Sequence, residues 1–178
     1  MLSKKFFKLY FLPWLLCTQN IIAQDAGTDG VETSLKADDL VVVARGEEVY
    51  NVHCAACHGA MLEGQPNWRQ RDADGYLPAP PHDETGHTWH HSDDLLFEIT
   101  KYGASAVIGD ENYKTRMPVY QGVIADSDIV AVLSYIKSRW PQREREFQDS
   151  TNGKDPNVFQ PAQPKEESSL IRKLFNRE

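Results

Sequence analysis

Residues 52–58, Val-His-Cys-Ala-Ala-Cys-His, hold Cys54 and Cys57 three apart with His58 directly after the second. That is the CxxCH attachment signature of c-type haem. The spacing has a physical logic. Two thiols three residues apart at the end of a helix can each reach one vinyl group of the same porphyrin, and the next residue sets an imidazole beneath the iron. Other chemistries also use paired cysteines. A disulfide between Cys54 and Cys57 suits an oxidising compartment. A thiol-redox CxxC belongs beside a βαβ pattern, which is absent from this chain. Zinc wants a second pair of ligands at metal spacing, and no cysteine follows Cys57. These residues favour one covalently attached haem c, held through Cys54 and Cys57.

Working outward, Leu40 to about Val52 predicts a helix, because Val42, Gly46, Val49, Tyr50 and His53 share one face. A glycine inside a helix costs about 1 kcal/mol against alanine. Gly46 therefore points to a close helix crossing where only a hydrogen fits. On the other side, Gly59 to Trp89 is rich in turn residues, including Asp74-Gly75 and Pro78-Ala79-Pro80-Pro81. A loop of that length is functional or wraps something. Ser92 as N-cap, Asp93 and Asp94 in the first turn and Gly103 as stop predict a helix over 92–102 with Leu95, Leu96, Ile99 and Tyr102 as its apolar face. Ser127 and Asp128 open the clearest helix, with Ile129, Val132, Leu133, Ile136 and Trp140 on one stripe before Pro141.

The termini differ in character. Lys4, Lys5 and Lys8, the apolar run Leu9 to Cys17 and the small Ala23 read as a secretory signal over 1–23. Pro13 and the short run argue against a retained anchor, and Leu16 before Cys17 argues against a lipoprotein signal. Residues 24–43 form an acidic polar leader, 44–141 a domain, and 142–178 a polar tail, expected to be largely disordered, whose end (Ser168 to Arg177) could form a short docking helix. Among 178 residues, 19 lysines and arginines against 26 acids give a net charge of −7. Such acidity argues against nucleic-acid binding, which needs cations to displace counterions. No apolar run is long enough to cross a bilayer once the signal is removed. With no eukaryotic retention cue, the context expected is the bacterial periplasm.

From about Ala44 to Pro141 the chain resembles the class I cytochromes c. The resemblance rests on Gly46-Glu47-Glu48-Val49-Tyr50 ahead of Cys54-Ala55-Ala56-Cys57-His58, on Met117-Pro118 with Tyr120 behind, and on Leu133-Ser134-Tyr135-Ile136. It implies an all-α fold of about three main helices and long loops wrapped around one haem, with His58 and Met117 as axial ligands. Chemistry supports the methionine, since a thioether favours reduced iron and a Met/His pair raises the reduction potential. Met61 lies too close behind His58 to cross to the opposite face. Pro80 or Pro81 would offer the carbonyl that receives the His58 N–H.

His82, His87, His90 and His91 are alternative ligands for iron or for a separate metal. A milder expectation gives Trp89, or one of these histidines, a hydrogen bond to a haem propionate. The function expected is one-electron transfer rather than catalysis, with redox proteins as partners. Between Arg45 and Trp140, 8 basic against 14 acidic residues leave −6, so a partner with a basic docking face is expected. Without Met117 on the iron, the open site would bind gases or peroxide. The polar tail also admits a haem subunit of a larger periplasmic oxidoreductase.

Overall fold

A computed structural model describes residues 32–153. The signal at 1–23, residues 24–31 of the leader and the terminal apolar patch lie outside the described residues. Within them the chain is helical and contains no strand. The elements are α1 (Leu40–His53), α2 (Ala55–His58), a 3-10 turn (Thr88–His90), α3 (Asp93–Tyr102), α4 (Ala104–Ile108), α5 (Asp126–Ser138) and α6 (Gln142–Thr151). Long irregular segments, 59–87 and 109–125, separate them.

Asp39 starts α1, its carboxylate accepting from the Val41 and Val42 N–H groups at 2.9 and 3.2 Å. Gly46, Val49 and Tyr50 form the buried face, as their spacing predicts. They pack on α5, and α1 with α5 is the dominant helix pair. The expected stripe of α5 is buried throughout, and so are Val130, Ala131, Ser134, Tyr135 and Lys137. Such all-round burial marks a central helix. α5 meets α1 on one side and α3 on another, while its Ser134 Oγ accepts from the Lys36 N–H at 2.9 Å. α3 has the caps read from sequence, Ser92 and Gly103. Its buried apolar residues are Leu96 and Phe97, whereas Leu95, Ile99 and Tyr102 are half-buried.

Two expectations are corrected. The first residues of the tail are ordered: Gln142–Thr151 is α6, seated on the 3-10 turn by Phe147, whose ring meets Trp89 and His90 edge-on at 5.4 and 5.3 Å. The leader is not solvated throughout, since Ala37 is buried, Leu35 packs against the core and Thr33 bonds Asp94. Neither segment has apolar periodicity, because single apolar contacts and polar bonds to Asp93 and Ser134 hold them and no continuous stripe does.

Arg45 reaches from α1 to α5, its Nε and Nη2 donating to the two carboxylate oxygens of Asp128 at 2.8 Å each. The side-chain hydrogen bond from Arg45 is the main cause holding Asp128 below its ordinary value of 3.8. A depressed folded-state value contributes stability above the unfolded value and loses it as pH falls through the folded one. Asp128→Asn is therefore expected to cost under about 1 kcal/mol at pH 7, the pair being part-exposed. Denaturation at stepped pH should show that deficit fading below 3.8; a deficit constant down to the acid limb would remove the pair from the account.

Candidate cofactor site

α1 runs into the two cysteines. Cys54 caps its C-terminus, and its carbonyl accepts from the N–H groups of Cys57 and His58 at 3.1 and 2.9 Å. Cys54, Cys57 and His58 therefore lie on one helical turn, α2. Both thiols are free; Cys54 is half-buried and Cys57 exposed. Burial, with Cys57 adding, pushes the Cys54 thiol up to about 11. A thiol-redox centre needs a thiol shifted toward thiolate, the reverse of what burial does to Cys54.

His58 is buried, and its Nδ1 lies 2.8 Å from the Pro80 carbonyl oxygen. A carbonyl only accepts, so Nδ1 carries the proton and Nε2 keeps its lone pair for a metal. Burial lowers the pKa of His58 against the opposing effect of that bond, which keeps the ring neutral. Of the two prolines expected, Pro80 supplies the carbonyl. Pro81 does something else: its backbone closes on Gly64 and Gly86, where a Cβ would come within 2.4 Å of Pro81 N and 2.1 Å of Pro81 O. The loop is further pinned by His82 N–H to Leu62 O and Gly64 N–H to His58 O, both 2.7 Å.

Met117 is half-buried and Met61 is 73% exposed. Met117 lines a cleft with Tyr102, Gly103, Ala106, Thr115 and Val119. Behind it, the Tyr120 hydroxyl donates to the His53 carbonyl at 2.7 Å, and the Tyr120 N–H to Thr100 O at 3.4 Å. The methionine segment is thus tied to the end of α1, one residue before Cys54. Tyr50 ties the other side, donating to Gly59 O at 2.8 Å. Both tyrosines were legible only as aromatics near motifs.

The four loop histidines are dispersed. His82 stacks on His58 at 3.9 Å and 21°, with its Nδ1 on Thr88 Oγ1 at 2.9 Å. It stands beside His58 and not across from it. Burial, with His58 and His87 adding, holds His82 well below its ordinary range. His87 stacks on Trp68 at 5.4 Å, His90 stacks on Trp89 at 3.7 Å, and the His91 carbonyl accepts from Gln148. Among the described residues no group of three or more His, Cys, Asp or Glu is placed to hold a metal ion. Trp89 Nε1 donates to Glu84 O at 3.3 Å, within its own loop, and its ring meets Phe147 of α6.

The donor set suits a covalently held metalloporphyrin: two thiols on one turn, an imidazole with its lone pair free, and a thioether at a cleft. The family model for cytochrome c matches residues 43–140, and the chain belongs to that family, in its class I single-haem branch. Among its relatives, cytochrome c6 of Diacronema lutheri is 29% identical over 101 residues, which cover 54% of this chain and 95% of that protein. No solved structure matches the chain. Among the described residues no helix is long and apolar enough to cross a membrane.

Proposed function

We propose that this protein is a periplasmic one-electron carrier, exported through residues 1–23, with His58 and Met117 as axial ligands. Cys54 and Cys57 would form the thioethers. When bound, the haem supplies a ferric/ferrous couple whose potential a Met/His pair raises. The observation that carries the reading is the His58–Pro80 bond, which orients the imidazole and frees Nε2. Met117 would be the second protein ligand to the iron, leaving no open position for a substrate, which favours electron transfer over catalysis. Cys57 is exposed, so a haem held through it would offer that side to a redox partner, and the net charge favours one with a basic face.

Absorption spectra of the exported, haem-loaded protein test this, oxidised and dithionite-reduced, wild type against Met117→Ala. The expected result is a methionine-to-ferric-iron charge-transfer band in the wild type that is lost entirely in the variant. A high-spin wild-type spectrum that responds to cyanide or carbon monoxide would instead support a ligand-binding or peroxidatic haem protein. Absence of covalent haem would return Cys54 and Cys57 to thiol chemistry.

A further inference from the structure

We propose that Arg116 and Asp72 form a clasp that positions Met117, so that cutting it lets an external ligand displace the thioether; this rests on the His58/Met117 ligation proposed above. Arg116 is the residue before Met117. Its Nη1 donates to Asp72 Oδ2 at 2.7 Å, across 44 residues of chain, and its guanidinium lies 4.1 Å over the Tyr76 ring. Lys114 joins it, donating to the Asp74 carbonyl at 2.7 Å. Two side chains of the methionine segment thus land on one five-residue turn, 72–76.

That turn is a prepared anchor. Asp72 Oδ1 accepts from the N–H groups of Asp74 and Tyr76 at 3.0 and 2.9 Å. The Asp72 N–H donates to Tyr76 O at 2.8 Å, and the Gly75 N–H to Asp72 O at 2.9 Å. Gly75 adopts φ +87°, which few side chains allow, and Arg71 Nη1 holds its carbonyl at 2.7 Å. The carboxylate is therefore fixed before Arg116 arrives, so the pair forfeits less side-chain entropy than an ordinary surface ion pair.

On its C-terminal side, Met117 is moored through Tyr120 to His53 O. On its N-terminal side the segment from Gly109 to Arg116 contains no helix, and it is moored by Lys114, Arg116, the Tyr113 ring under the Arg71 guanidinium at 5.7 Å and short-range turns. Releasing one end increases the population in which Met117 has left the iron, and a competing ligand binds that population.

Imidazole titration of the ferric, haem-loaded protein, followed at the methionine charge-transfer band, measures this. Arg116→Ala, which removes one exposed pair and one cation–π contact, should tighten apparent imidazole binding by about fivefold, and Asp72→Ala, which leaves the Tyr76 contact, by about threefold. The double variant should add little beyond Arg116→Ala, and Arg116→Lys should recover only part of the effect. Arg116 is more than half exposed, so the Arg116 variants should keep nearly wild-type melting temperatures, separating positioning from general destabilisation, whereas Asp72→Ala also unties the 72–76 turn. Imidazole affinity within about twofold of wild type in both single variants, with the Met117-dependent band intact, would overturn the clasp alone. A wild type lacking any Met117-dependent band would overturn the ligation and the clasp together.

Discussion

Gly46→Ala is expected to destabilise the folded protein by at least about 2 kcal/mol, although alanine is the better helix former. Two effects oppose each other. Replacing glycine by alanine inside a helix gains about 1 kcal/mol from the unfolded chain's lost freedom. Against it, a Cβ on Gly46 would sit 2.0 Å from Ala131 O, 2.6 Å from Ala131 C and 2.7 Å from Tyr135 Cβ. Two of those atoms are backbone of α5 and cannot turn aside. α1 and α5 must separate, and the strain spreads to Val49 and Tyr50, which pack along the same crossing. Overpacking commonly costs about 1–3 kcal/mol and occasionally more; contact with rigid backbone belongs at the upper end. The net loss is a large part of a stability of about 5–15 kcal/mol. Thermal or urea melts of the haem-loaded protein should show a melting temperature lower by about 5 °C or more. Asn51→Ala, at an exposed site on the same helix, should leave it unchanged or slightly raised. If Gly46→Ala behaved like Asn51→Ala, the close crossing would be wrong.

Gly46 was legible because its information is local and negative: an unfavourable residue in a clear helical pattern implies a compensating contact. The same holds for Ser92 and Gly103 at the ends of α3, where cap chemistry sits within a few residues of the element it ends. The carbonyl for His58 was legible to within one residue. Choosing Pro80 over Pro81 needed the path of the loop, since Pro81 is turned against Gly64 and Gly86.

Trp89 takes part in contacts that have no local signal. An indole near a run of histidines fits a propionate partner, but its N–H is used by Glu84 O and its ring by His90 and Phe147. That arrangement depends on α6, which periodicity could not reveal. Its buried residues are Glu144 and Gln148, and polar residues buried by specific bonds leave no hydrophobic stripe. The Arg116–Asp72 contact was invisible for another reason, since two charged residues 44 apart in surface loops have no sequence signal linking them.

Asp93→Ala should be nearly as costly as the glycine substitution, at about 3 kcal/mol, through a different mechanism. Asp93 is buried at the start of α3, and both its oxygens are in use. Oδ2 accepts from the Leu35 N–H at 3.0 Å, and Oδ1 from Gln148 Nε2 at 2.6 Å, with Lys137 Nζ 3.9 Å away. The Asp93 N–H donates in turn to Asn152 Oδ1 at 2.9 Å. One side chain therefore joins the leader, α3, α5 and α6, and α6 lies beyond the 43–140 span that the family model matches. Alanine would leave the Leu35 N–H without its acceptor, and the Gln148 amide with the His91 carbonyl but not the carboxylate. It would also leave the Lys137 ammonium, 4% exposed, with Asp149 as its ion-pair partner among the described residues. Breaking a buried pair costs about 3–5 kcal/mol, and Asp149, largely exposed, offsets some of that here. Asp93→Asn keeps one accepting oxygen and presents an N–H to the other donor, so it should recover less than half the loss. Because the group is out of solvent, the deficit should change little with salt. The decisive measurement is a double-mutant cycle of Asp93→Ala with Gln148→Ala in urea denaturation, where a coupling of about 1 kcal/mol or more is expected. Additivity within about 0.5 kcal/mol would mean that α6 is held by the Phe147–Trp89–His90 ring contacts and that the carboxylate does not fasten it.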